Sequence, residues 1–149
     1  MSIILGLDIG DARTGVAISD ELGIAAHPLC TIRRKSRKAL LAELQQLVTA
    51  HNVEQIVVGL PLQLDGETGT QAKKVKQFAE KLEQQVNLPI AFWDESFTTF
   101  EAARILHGTK RRRKKRKQVI DQVAAVLILE GYLEELRNSK RKGQVNECE

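Results

Sequence analysis

The sequence predicts an α/β domain built on a mixed five-stranded sheet with helices on both faces. Three observations carry this expectation. The chain opens with alternating apolar segments at strand spacing, and its later apolar segments switch between strand and helical periods. Its 149 residues, 42% hydrophobic and 28% charged, are enough to bury one core.

Each element follows from local pattern. Ile3 to Ile9 alternates as a buried strand, with Ile3, Leu5, Leu7 and Ile9 on one face and Ile4, Gly6 and Asp8 on the other. Gly10 to Arg13 makes a turn. Thr14 to Ser19 and Ile24 to Ile32 read as the second and third strands of an antiparallel meander, with Pro28 marking an edge. From Arg37 to about His51 the apolar residues Leu40, Leu41, Leu44, Leu47 and Val48 fall on one helical stripe. Gln55 to Gly59 is a short strand, and Leu60 to Glu67 is a loop containing Pro61 and an Asp-Gly pair. Thr68 and Gln71 have capping-box spacing for a helix to about Val86. Pro89 to Trp93 is the fifth strand. Thr98 and Glu101 repeat the capping box and begin a short helix through Leu106, closed by Gly108. The following basic run reads as a loop, and Gln118 to about Leu136 as a last, apolar helix. The order β-β-β-α-β-α-β-α-α implies a mixed sheet. One domain is expected over residues 1–137, with residues 138–149 as a polar, flexible tail.

Charge is unevenly distributed. The formal net charge is +4, yet eight consecutive basic residues, Lys110 to Lys117, belong to a total of 23. Without them, 15 basic residues face 19 acidic ones. A second cluster, Arg33, Arg34, Lys35, Arg37 and Lys38, leaves 10 against 19. An acidic body with two basic patches suggests a polyanionic partner. Cys30 and Cys148 form no CxxC pattern, so neither a disulfide framework nor a zinc site follows from them alone. No apolar stretch has membrane-spanning length, and the N-terminus lacks a secretory pattern, so a cytoplasmic location is expected.

Three acids stand out. Asp8 lies near the end of an apolar strand, where an unpaired carboxylate out of water costs several kcal/mol. Capping of the Gly10 to Arg13 turn, with Arg13 as a partner, accounts for it equally well. Glu95 follows the fifth strand, at the carboxyl end where α/β sheets present binding residues, although taken alone a solvated loop acid is the favoured account of it. Asp121 precedes Ala124, Ala125 and Ile128 on an apolar helix face, and the small residues let the helix sit close to the sheet. A first-turn Asp favoured by the helix dipole is the competing account. Taken together, clustered carboxylates call for a divalent cation, and hard oxygen ligands select Mg²⁺ or Mn²⁺, as one or two ions. Such a centre beside phosphate-binding basic residues describes a nuclease.

At this point four ordered blocks are similar to a known family. L-G-L-D-I-G-D-A-R-T-G-V-A (Leu5 to Ala17), G-L-P-L-Q-L-D-G (Gly59 to Gly66), D-E-S-F-T-T (Asp94 to Thr99) with Glu101 and Ala102, and D-Q-V-A-A (Asp121 to Ala125) resemble the YqgF family. The resemblance runs from residue 3 to about 136. It implies a ribonuclease H-like fold akin to the RuvC Holliday-junction resolvases, and a role in trimming the 5′ end of precursor 16S ribosomal RNA. It also implies that Asp8, Glu95 and Asp121 are the catalytic and metal-binding acids. The chain departs from the pattern at Ser96, where many members have Arg. It also lacks a clear equivalent, near Asp121, of the fourth acidic or histidine ligand of RuvC-type resolvases.

The expected nucleic-acid contacts are Arg13, Arg33, Arg34 and the run Lys110, Arg111, Arg112, Arg113, Lys114, Lys115, Arg116 and Lys117. Arg13 can meet a phosphate or pair with Asp11 or Asp8. Aromatic residues make up 4% of the chain and none lies in the basic run, so backbone shape and charge, rather than base stacking, are the expected mode of recognition. The substrate reading stays open between structured RNA, including ribosomal assembly intermediates, and branched DNA. A non-catalytic nucleic-acid-binding module is the third possibility. Monomer and homodimer are equally compatible with the sequence.

Overall fold

The opening alternation folds into an antiparallel meander of β1 (Ile3–Ile9), β2 (Arg13–Ser19) and β3 (Ala26–Arg33). The structure is a computed structural model that describes residues 3–10, 12–33, 35–60, 68–94 and 113–147. Helix α1 (Arg37–His51) leads to β4 (Val53–Leu60), and α2 (Thr68–Val86) to β5 (Ile90–Asp94). A long α3 (Arg113–Glu147) follows. The strand order is β3-β2-β1-β4-β5, with β1, β4 and β5 mutually parallel. This is the mixed five-stranded sheet that the sequence predicts.

Alternation on the central strand decides which helix covers which face. Leu5, Leu7 and Ile9 pack with Leu40 and Leu44 of α1 and Phe78 of α2. Ile4, on the opposite face, packs with Ala125, Ile128 and Leu129 of α3. β1 is therefore buried from both sides. Each large apolar side chain removed from water in these two layers contributes about 1.5 to 3 kcal/mol.

Local chemistry sets the element ends. The Ser36 hydroxyl accepts from the Ala39 N–H at 3.0 Å to cap α1, and Asn52, with φ 53°, ends it in the left-handed conformation. β3 begins at Ala26 rather than Ile24 because the Asp20 carboxylate accepts from the N–H groups of Ile24 and Ala25 at 2.8 and 3.2 Å, taking both into the hairpin turn. Those same backbone bonds, that of Ile24 foremost, hold the Asp20 carboxyl below its usual pKa range. Pro28, which has no N–H to donate, lies on the edge strand beside a register shift between Val16 and Ala17.

One expectation is corrected. Residues 113–117 of the basic run are not loop but the first turns of α3, which begins five residues before Gln118. Lys and Arg are good helix formers, and no Gly or Pro separates them from the apolar stretch they precede. The helix also continues to Glu147, past Leu136, which is the last apolar residue packed against the sheet layer among those whose side chains are described. The expected short helix that Thr98 and Glu101 begin and that runs through Leu106, and residues 61–67 of the expected loop, lie outside the described residues. Among the described residues, no helix is long and apolar enough to cross a membrane.

Candidate active site

Asp8 is the penultimate residue of β1, half-buried at the carboxyl end of the sheet. Its strand parity places it with Ile4 and Gly6 on the face covered by α3. β4 and β5 run parallel to β1 and end at this same edge, with Leu60 beside Asp94. Glu95 is the next residue in sequence and lies outside the described residues.

Helix α3 runs antiparallel to β1. Near its start, Gln122 Nε2 donates to the Thr31 hydroxyl at 3.0 Å, close to the end of β3. Fifteen residues later, about 22 Å along the helix axis, an Arg137 guanidinium N–H donates to the Ile24 carbonyl at 3.0 Å, just before β3 begins. The first half of α3, with Asp121 in it, therefore lies at the carboxyl end. The side chain of Asp121 is outside the described residues.

The height of the helix above the sheet is set by missing side chains. A Cβ at Gly6 would stand 2.9 Å from Leu129 Cβ and 3.2 Å from the Ala125 carbonyl oxygen. The helix thus rides almost on the β1 backbone, with the fully buried Ala125 against it. Asp121 is one turn before Ala125, and Asp8 is two residues beyond Gly6. Each step is about 6 Å, and both lead toward the same end. The two acids that the sequence singles out on different elements are in this way brought to one edge of the fold.

Basic residues gather at that edge as well. Arg13, which begins β2, is the register partner of Arg33, which ends β3. The exposed Lys35 and Lys38 and the half-buried Arg37 follow directly. Arg113 to Lys117 occupy the start of α3, one to two turns before Asp121. Arg34, Lys110, Arg111 and Arg112 lie outside the described residues. By contrast, Asp20, Glu21 and Glu54 stand at the opposite end, around the β2–β3 hairpin and the start of β4.

Among the described residues, no group of three His, Cys, Asp or Glu side chains could hold a metal ion, two of the three expected acids having undescribed side chains. On β3, burial pushes the Cys30 thiol up, with the nearby Glu43 adding to the effect, which keeps it a neutral thiol. Sequence reasoning missed Thr31 and Gln122. They are 91 positions apart, and no local pattern marks either one.

The family model described as "RuvX: Holliday junction resolvase" matches residues 2–135. The chain belongs to the RuvX family. A relative from Moorella thermoacetica, named "Putative pre-16S rRNA nuclease", is 50% identical over 133 residues, covering 89% of this chain and 95% of its own length. Another of the same name, from Caldanaerobacter subterraneus, is 45% identical over 137 residues, covering 91% and 99%. In structure this RuvX chain is similar to Thermus thermophilus RuvC in complex with a Holliday junction substrate, with a TM-score of 0.54 at 13% identity, covering 86% of this chain and 92% of that one. It is also similar to the fowlpox virus resolvase in complex with Holliday junction DNA, with a TM-score of 0.51 at 14% identity, covering 90% and 98%. These likenesses establish the ribonuclease H-like, RuvC-type fold for RuvX here.

Proposed function

We propose that this RuvX chain is a divalent-metal-dependent nuclease that processes the 5′ end of precursor 16S ribosomal RNA. One observation carries the chemistry. β1 and α3, which bear Asp8 and Asp121, converge at the carboxyl end of the sheet, where the basic residues of β2, β3 and α3 also gather. The names of its relatives, matched over nearly their whole length, support the choice of substrate. A cytoplasmic location suits that substrate.

The donor set fits a hard cation. Asp8, Glu95 and Asp121 offer only carboxylate oxygens, which select Mg²⁺ or Mn²⁺. When bound, such ions lower the pKa of a water and take up charge on the leaving oxygen. The chain's own part is to hold the acids on rigid elements and to seat the phosphate backbone. Arg13, Arg33, Arg34 and Lys110 to Lys117 supply the positive charge for that seat, and the neighbouring Lys35, Arg37 and Lys38 extend it. Association is then dominated by phosphate contacts and falls with salt.

Incubating wild type and Asp8→Asn with precursor 16S RNA and with a four-way DNA junction tests both parts. Mg²⁺- or Mn²⁺-dependent cleavage of the RNA by wild type alone, with binding retained by the variant, is the expected result. Selective cutting of the junction would move the substrate to branched DNA, and equal cleavage by Asp8→Asn would remove the metal site. Binding of both substrates without cleavage of either would favour a non-catalytic module.

A further inference from the structure

Among the described residues, three side chain–backbone or side chain–side chain hydrogen bonds tie α3 to the sheet at different heights. Arg137 meets the Ile24 carbonyl at the lower end, and Gln55 Nε2 donates to the Tyr132 hydroxyl at 2.6 Å. Gln122 meets Thr31 at the upper end. The position of this last bond is informative. Asp8 is the register partner of Gly15 on β2, and Gly15 is in turn the register partner of Thr31 on β3. Asp8, Gly15 and Thr31 therefore form one row across three strands. Thr31 stands two strand spacings, about 10 Å, from the Asp8 backbone. Between them is the buried Gly15, which puts no side chain of its own between the two. Gln122, which reaches Thr31 across this row, is the immediate neighbour of Asp121.

We infer that the Gln122–Thr31 hydrogen bond positions the metal-binding acids, holding the turn of α3 that bears Asp121 level with Asp8. The inference rests on the metal-nuclease reading given above. Neither residue touches substrate or metal in this account, and both act through Asp121. The physical reason is leverage. Below this turn the helix is held by the Gly6 contact, buried packing and two further hydrogen bonds. Beside Asp121, the half-buried Gln122–Thr31 pair adds a directional tie that sets the rotation of this turn about the helix axis. Loss of partners that orient metal ligands typically costs 10- to 100-fold in metal affinity.

The test is direct Mn²⁺ titration of the full chain by calorimetry, with thermal denaturation alongside. Gln122→Ala and Thr31→Val should each raise the Mn²⁺ dissociation constant about tenfold, and Thr31→Ser should restore it. Tyr132→Phe, which breaks the lower tie, should leave it unchanged. Mn²⁺ affinity within twofold of wild type in both Gln122→Ala and Thr31→Val would overturn the inference, as would an equal loss in Tyr132→Phe. Asp8→Asn separates the two readings. If it abolishes Mn²⁺ binding while Gln122→Ala has no effect, only the positioning role falls. If Asp8→Asn binds Mn²⁺ normally, the metal site itself falls and the positioning role with it.

Discussion

Replacing Gly6 with Ala adds one methyl group at the closest approach of helix and sheet. The new carbon would lie 2.9 Å from Leu129 Cβ and 3.2 Å from a backbone carbonyl oxygen. Carbon atoms pack best at about 3.5 to 4.0 Å, so the two elements must separate by at least about 0.6 Å. Neither obstructing atom is the end of a flexible side chain, and no rotamer change relieves the contact. Overpacking of this kind costs typically about 1 to 3 kcal/mol. The loss of glycine's freedom in the unfolded chain returns about 0.4 to 1 kcal/mol. A net destabilisation of up to about 2.6 kcal/mol lowers the midpoint by up to roughly 10 °C in a domain of this size. Because the lift occurs one turn from Asp121, cleavage should fall further than stability, and a displacement of about 1 Å can cost on the order of 100-fold. Thermal denaturation and metal-dependent cleavage at a temperature where both proteins are folded measure the two effects. A Gly6→Ala variant as stable and as active as wild type would refute the close-approach argument.

Four other outcomes are expected. Thr14 is fully buried and its hydroxyl has no hydrogen-bond partner among the described residues. Thr14→Val should therefore stabilise by about 1 kcal/mol, read as a rise in the denaturation midpoint; a fall would mean the hydroxyl is satisfied. Ser36→Ala removes the α1 cap and should cost about 1 kcal/mol in chemical denaturation. Changing Arg113, Lys114, Lys115 and Arg116 to Gln should weaken RNA binding and flatten its logarithmic salt dependence by about 0.7 per lost single-strand phosphate contact. An unaltered slope would remove the start of α3 from the interface. Asp20 has a folded pKa below its unfolded one, so the stability it gives the β2–β3 hairpin is present above the usual carboxylate range and is lost as pH falls through the depressed value. Amide exchange at Ile24 and Ala25, corrected for the intrinsic pH dependence, should lose protection over that acidic window and not above it.

Much of this protein is legible one segment at a time. Strand alternation around Leu5 and Leu7, the helical stripe of Leu40 and Leu44, and the cap at Ser36 are short-range consequences of backbone geometry, and they give the fold class and most element boundaries. Asp8 stands out because a carboxylate in an apolar strand needs a reason of its own. The start of α3 was harder to read. A run of like charges suggests a solvated loop, while helix propensity and continuity with the packed apolar stretch favour helix, and the packing outweighs the repulsion. The Asp20 turn also shortened β3 from its apolar span, because a side chain took the N–H groups that the strand would have used.

The sequence by itself determined the α/β class, the family, the polarity of charge along the chain and the identity of the acids worth testing. These depend on residue type and spacing, which a linear chain carries in full. The tertiary structure alone decided that α3 runs antiparallel to β1, that Gly6 sets its height, and that Thr31 and Gln122 meet in the row of Asp8. Contacts across 91 positions depend on strand register and helix packing. Neither leaves a periodic trace in sequence, because each is fixed by the fit of two surfaces assembled from distant segments.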